Sequence, residues 1–256
     1  SAILVGVASL LKHNPPASGR VVLLFQPAEE TGEGAAAVIA DPKFNEIKPD
    51  YAFAMHNLPG FEKGTIYVRN ETFASASTGM IIELKGKSSH AAHPEQGNNP
   101  DKALAKLVLG MNELKEDKSA FEDFVLLTII HAKLGEVAFG TTPGNAVLMA
   151  TLRSFLDKDM MLLRQMVEQL VKVICQEHKI EHEIAYVEEF PATANNIQCV
   201  TAIRKAAEKL RFRVKELDEP FRWSEDFGHF SNHCNAALFG IGSGLNHPNL
   251  HSEYYD

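Results

Sequence analysis

The stretch Val21-Val22-Leu23-Leu24-Phe25-Gln26-Pro27-Ala28-Glu29-Glu30 runs five apolar residues into a proline turn and ends on two adjacent acids. A strand covered on both faces reads as continuous apolar sequence rather than as alternation, so Val21 to Phe25 is expected to be a buried strand. Before it lies a helix-like run, Ala2 to Leu11, closed by the loop Asn14-Pro15-Pro16 to Gly19. After it a Gly-rich entry leads into a second helical run, Ala35 to Ala40. Helix, strand and helix in succession predict an α/β layer with a mostly parallel sheet. In such sheets ligands bind beyond the carboxyl ends of the strands, where Glu29 and Glu30 fall. The pair reads in two ways: as a solvated turn, since charged residues are mostly exposed, or as a site where one acid holds a cation while its neighbour handles protons.

Farther along, Tyr51 to Met55 reads as a strand leading to His56, and Gly64 to Val68 as another. From about Phe73 the pattern changes to a strand (Met80 to Leu84), a long helix, two strands (Phe124 to Leu134 and Ala146 to Phe155), a second helix and a strand (Glu183 to Val187). That order, β-α-β-β-α-β, is the ferredoxin-like split unit. Its helices carry apolar stripes at helical spacing, Leu104, Leu107, Val108, Met111, Leu114 and Met160, Leu163, Val167, Leu170, Val171, Ile174, which predict core rather than cofactor contacts. After Pro191 come a helix (Asn196 to Leu210), the turn Trp223-Ser224-Glu225-Asp226-Phe227, a strand (Ala236 to Ile241) and a loop with His247 and His251. The expected organisation is one α/β domain, residues 1–72 and 186–256, interrupted by an inserted α+β domain over 73–185. With its own two stripes and four strands, the insert should fold by itself.

Composition narrows the function classes. The 256 residues are 45% hydrophobic and 23% charged, ordinary globular material, and the net charge of -8 without a Lys/Arg block argues against nucleic acid. No apolar run approaches the roughly 20 residues that span a bilayer, so no membrane segment is expected. Cys175, Cys199 and Cys234 are far apart and odd in number, which fits buried thiols in a reducing, cytoplasmic compartment.

Glu29, Glu30, His56 and His251 all lie in the outer two segments, each expected at a strand end or in the loop after it. Mixed carboxylate and imidazole donors suit zinc, manganese or cobalt, whereas calcium prefers oxygen alone. Any single His is more often a surface or core residue than a ligand; the shared placement is what weakens that reading. Several stretches then resemble a known family: Phe25 to Glu30 with the Gly-rich turn after it, His56-Asn57-Leu58-Pro59, Gly86 through Pro94 with His90 inside, Thr151-Leu152-Arg153-Ser154-Phe155, Ser224-Glu225-Asp226-Phe227 and Leu250-His251-Ser252. In order and spacing they are similar to the amidohydrolase branch of the aminoacylase and carboxypeptidase-G superfamily, which includes hippurate hydrolase and indole-acetyl-amino-acid hydrolase.

The resemblance implies a catalytic domain of zinc-exopeptidase type and an inserted dimerisation or lid domain. It also implies two divalent transition-metal ions and hydrolysis of an N-acyl amino acid or short peptide. Glu29 would be the general base, with Glu30, His56 and His251 among the metal ligands. Between two cations about 3.5 to 4 Å apart, a bridging water is readily deprotonated, and a neighbouring carboxylate can take its proton and later deliver it to the leaving amine. His90 matches a His that stabilises the oxyanion in the partner subunit's site, which implies a homodimer through the insert; read without the family it is a loop-capping His, and His93 is more simply a surface residue. Arg153, on one strand face with Thr151 and Met149, needs an anion. The resemblance gives it the substrate carboxylate, and the alternative is a salt bridge to an acid of its own domain. Asp226 would orient a ligand or cap the next helix.

Two departures qualify the match. The family carries a Cys-Gly-His-Asp ligand motif just before the segment matching Ser1-Ala2-Ile3-Leu4, and a final helix after the segment ending Tyr254-Tyr255-Asp256, so this chain reads as truncated at both ends. The family's Ala-Phe-Asn-x-x-Pro also appears here as Ala138-Phe139-Gly140-Thr141-Thr142-Pro143, without the Asn. Beside the N-acyl amino acid hydrolase stand a small-peptide exopeptidase and, for the truncated chain, a non-catalytic dimerising or ligand-binding fragment.

Overall fold

The computed structural model describes residues 2–114 and 118–255; Ser1 and Asp256 of the terminal stretches lie outside them. Helix α1 (Ala2–His13) carries the basic residues Lys12 and His13 in its last turn, where Lys12 suits the negative end of the helix dipole, just before the loop that holds Pro15 and Pro16. Short helices α2 (Glu33–Ala40) and α3 (Phe44–Ile47) precede β1 (Tyr51–Pro59), β2 (Ile66–Val68), β3 (Glu71–Ala74) and β4 (Ala76–Lys85). Then come α4 (Asp101–Leu114), β5 (Val125–Leu134), β6 (Asn145–Ser154), α5 (Asp157–His178), β7 (Glu181–Phe190) and β8 (Thr193–Asn195). The chain closes with α6 (Ile197–Lys209), β9 (Val214–Glu216), α7 (Gly228–Ser231) and β10 (Asn235–Gly244).

The outer sheet has the order β1-β10-β2-β9, with β1/β10 and β2/β9 parallel and β10/β2 antiparallel. Alternate residues of β10 serve opposite faces, as a pleat requires. Ala237 meets the α6 stripe of Cys199, Val200, Ile203 and Ala207, while Ala236 meets Ala35, Phe44 and Phe230 from α2, α3 and α7. The inserted unit is fully antiparallel with the order β5-β6-β4-β7. Placing its first and third strands at the centre is the ferredoxin-like arrangement expected. Both stripes lie in one core: Leu104, Leu107 and Met111 of α4 and Met160, Leu163, Val167, Val171 and Ile174 of α5 pack on Met80, Ile82, Leu84, Leu148, Ala150 and Leu152. The two-stranded ladder β3-β8 joins the units, and Asn195 locks it to β10 by exchanging 2.8 Å bonds with the backbone of Leu238.

One expectation fails. Val21 to Phe25 is not a strand: it has no ladder partner among the described residues, and Val21, Val22 and Phe25 are exposed. A strand is a property of a pair, since its N–H and C=O groups must be matched by a neighbour's. Among the described residues β1 pairs with β10 alone, so the segment stays irregular, attached through Leu24 to the cluster of Ala35, Phe44, Phe230 and Ala236. A smaller difference is that β1 runs on to Pro59, which puts His56 within the strand, opposite Gly240, rather than beyond its end.

Candidate active site

The turn that carries Glu29 is built on left-handed backbone. Ala28 takes φ 59° and Gly32 φ 74°, and the Gly32 and Gly34 amides fold back to the Glu29 and Ala28 carbonyls at 2.9 and 3.1 Å. This geometry turns the two acids apart. Glu29 is half-buried, with Oε1 facing the backbone N–H of Asp226 at 3.4 Å; the Glu30 side chain is 77% exposed. Burial, and after it the negative charge of Glu225, raises Glu29 from an ordinary 4.5 to about 7.

His56 faces the same acid. Its Nδ1 lies 2.7 Å from the Asn57 carbonyl, the bond a ring N–H donates, which leaves Nε2 aimed at Glu225 Oε1 3.2 Å away. Burial opposes a charged imidazole here, but the Glu225 carboxylate outweighs it and His56 titrates above its usual range. The Trp223 ring covers the imidazole at a centroid distance of 5.0 Å. Glu29, His56 and Glu225 therefore form one cluster; the sequence places Glu225 only within the turn Ser224 to Phe227, expected to shape the pocket floor, and gives it no role of its own. Its signal was the second acid pair, Glu225-Asp226, next to the only tryptophan of the chain.

The other candidates fall elsewhere. His251, in a left-handed turn at φ 59°, is 76% exposed, with Nε2 4.0 Å from Glu30 Oε2. Arg153 is half-buried and donates from Nη1 to the Arg222 carbonyl at 2.8 Å and the Ser224 hydroxyl at 3.1 Å; among the described residues it has no carboxylate partner. The salt bridge to its own domain's acids is thus not formed. His90 is exposed and accepts from the Ala92 amide at Nδ1, 3.1 Å away; it bridges to Thr141, beside the Ala91 amide bond to Gly140. Its loop and the Gly140 loop are one surface, with open space where a Gly140 side chain would stand. Asp226 caps not the helix after it but α2, far upstream, by accepting the Ala35 amide at 2.8 Å.

As a metal centre the set is incomplete. Glu30 lies beside His251 and His56 beside Glu225, but among the described residues no three His, Cys, Asp or Glu side chains come close enough together to hold an ion. The donors are of the right kind for a transition metal yet form pairs, not a shell.

Comparison with known proteins identifies the family. The profile of Peptidase family M20/M25/M40 matches residues 1–256. An uncharacterized hydrolase of Staphylococcus aureus (strain bovine RF122 / ET3-1) is 28% identical over 219 residues, 86% of this chain and 57% of the relative. The chain thus spans little more than half of that relative's length. Among solved structures, the Bacillus subtilis YXEP protein, described as a dinuclear metal binding peptidase from the M20 family, superposes with a TM-score of 0.77 at 21% identity, covering 99% of this chain and 63% of that one. The aminobenzoyl-glutamate utilization protein from Klebsiella pneumoniae gives 0.76 at 21% identity, covering 98% and 68%. At these identities the two structures speak for the fold, while the profile spans every residue of the sequence. The chain belongs to Peptidase family M20/M25/M40.

Proposed function

We propose that the protein hydrolyses the amide bond of an N-acyl amino acid in a metal-dependent amidohydrolase reaction, with Glu29 moving the proton. The observation that carries this is a half-buried carboxylate held near pKa 7 beside His56 and Glu225. A general base works best when its pKa lies near the working pH. Water adds to the amide carbon while the Glu29 carboxylate takes its proton. The C–N bond then breaks as Glu29 returns that proton to the leaving nitrogen. Glu30, His56 and His251 are read as ligands of divalent zinc, manganese or cobalt, although here Glu30 lies beside His251 and His56 beside Glu225.

Arg153 is read as the anchor of the substrate carboxylate: a half-buried guanidinium that, among the described residues, bonds only to neutral oxygens has its charge still to satisfy. His90 is read as the oxyanion donor of a second copy. The inserted domain, 73–185, would make that homodimer, since Val137 and Phe139 of the loop bonded to His90's segment are 97% and 100% exposed. A cytoplasmic setting is supported by three free cysteines, and no described helix is long and apolar enough to cross a membrane.

Glu29→Gln, assayed on hippurate with added Mn²⁺ or Zn²⁺, should lower kcat by about 10²- to 10⁴-fold with metal content unchanged; a variant as fast as the wild type would sink the assignment. The described peptidase nature of the Bacillus relative favours a second reading, a small-peptide exopeptidase. Faster turnover of dipeptides than of hippurate would select it.

A further inference from the structure

Asp226 has no part in the chemistry above, yet it is 2% exposed and carries a carboxylate. Burial of such a group is costly unless its oxygens are matched by donors. One oxygen, Oδ2, accepts from both the Ala35 amide at 2.8 Å and the Gln26 side-chain amide. These partners stand 191 and 200 residues away along the chain, and they bracket Glu29, one on each side. The backbone N–H of Asp226 itself points at Glu29 Oε1. The fit is close enough to dictate a residue: a Cβ on Gly34 would sit 2.1 Å from the Pro27 carbonyl and 3.1 Å from Asp226 Oδ2. The first helical turn of α7 does not use this carboxylate, for the His229 amide bonds to the Asp226 backbone carbonyl instead.

We propose that Asp226 is the positioning residue of the Glu29 turn, stapling Gln26 and Ala35 together so that the Glu29 carboxylate is held against Glu225 and His56. The inference rests on the reading of Glu29 as the proton-transfer group. Misplacing a catalytic group by about 1 Å costs on the order of 10²-fold, so the staple acts on kcat rather than on binding. An Asn at 226 keeps an acceptor oxygen and the shape; an Ala keeps neither.

The test compares Asp226→Ala, Asp226→Asn and Gln26→Ala in the full chain, with hippurate and Mn²⁺, alongside amide hydrogen exchange. Asp226→Ala should lose about 30- to 100-fold in kcat with KM within about threefold, and residues 26–35 should exchange faster. Asp226→Asn should recover most of both. Wild-type kcat in Asp226→Ala, or an Asn variant as damaged as the Ala variant, overturns the proposal. Should Asp226→Ala not fold, Gln26→Ala decides: about a three- to tenfold loss in kcat at unchanged KM supports the staple, and no loss overturns it. Should the wild type turn over neither hippurate nor dipeptides, the Glu29 reading fails by itself. Exchange at residues 26–35 then decides alone, faster in Asp226→Ala supporting the staple and unchanged overturning it.

Discussion

Two adjacent acid pairs meet at the candidate site, and they divide their labour in opposite ways. In Glu29-Glu30, a left-handed turn sends one acid into shelter and leaves its neighbour 77% exposed. In Glu225-Asp226 both are sheltered: the Glu225 side chain is 16% exposed and faces His56, while Asp226 turns inward to hold the other pair's turn. Neither pair is a unit. Each is half of one, because the Glu225 charge that adds to burial in raising Glu29, and the N–H that meets its carboxylate, both come from the second pair. The difference teaches that adjacency in sequence settles little about acids: the backbone conformation at each and the donors offered from elsewhere decide which is sheltered and which faces solvent.

The largest effect that would sharpen this contrast lies at Arg153, whose guanidinium holds the residues on either side of Trp223, just before the second pair. A charged hydrogen bond is worth about 1.5–3 kcal/mol, so Arg153→Ala should lower kcat/KM on hippurate by roughly 10- to 150-fold, chiefly through KM. Hippuramide, which lacks the carboxylate, should lose far less. Equal losses on both substrates would make Arg153 a strut for the second pair and not an anchor for substrate. A smaller effect is expected from Glu225→Gln. With that charge gone, the acid limb of the kcat/KM profile should move to lower pH, by less than about 1 unit, because burial is the larger cause of the Glu29 shift and stays in place. An unmoved limb would break the link between the pairs.

How much of this could be read from the residues alone differs between the two halves of the molecule. The inserted unit was legible because its signals are local: the α4 and α5 stripes repeat at helical spacing, and the order β-α-β-β-α-β leaves few ways to bury them. Val21 to Phe25 reads as a strand and is not one because five apolar residues report that a segment wants cover, not whether a ladder partner exists. His56 is legible in the sequence and its pairing with Glu225 is not, since nothing near Glu225 names an imidazole 169 positions upstream. For Asp226 the sequence offers a ligand to orient or the next helix to cap, the nearest solutions in sequence; in space the carboxylate accepts the amide of Ala35.

The smallest predicted effect tests the first pair against itself through stability. Glu29 titrates near 7 in the folded chain against an ordinary 4.5, so between those values the folded state binds more protons than the unfolded one. Stability from this group is therefore full below about 4.5 and is lost as pH rises through 7. Glu29→Gln removes that loss. Because the side chain is only half-buried, the gain at pH 8 is discounted for solvent to the order of 1 kcal/mol, read as a higher urea midpoint than wild type at pH 8 and a smaller difference at pH 5. His56, raised above 6.5, loses stability in the same direction as pH rises, so a residual slope persists in the variant. Glu30→Gln, on an exposed side chain, should track the wild type within about 0.5 kcal/mol at both pH values. Should the Glu29 and Glu30 variants respond alike, the turn would not separate its two acids, and the contrast with Glu225-Asp226 would lose its physical basis.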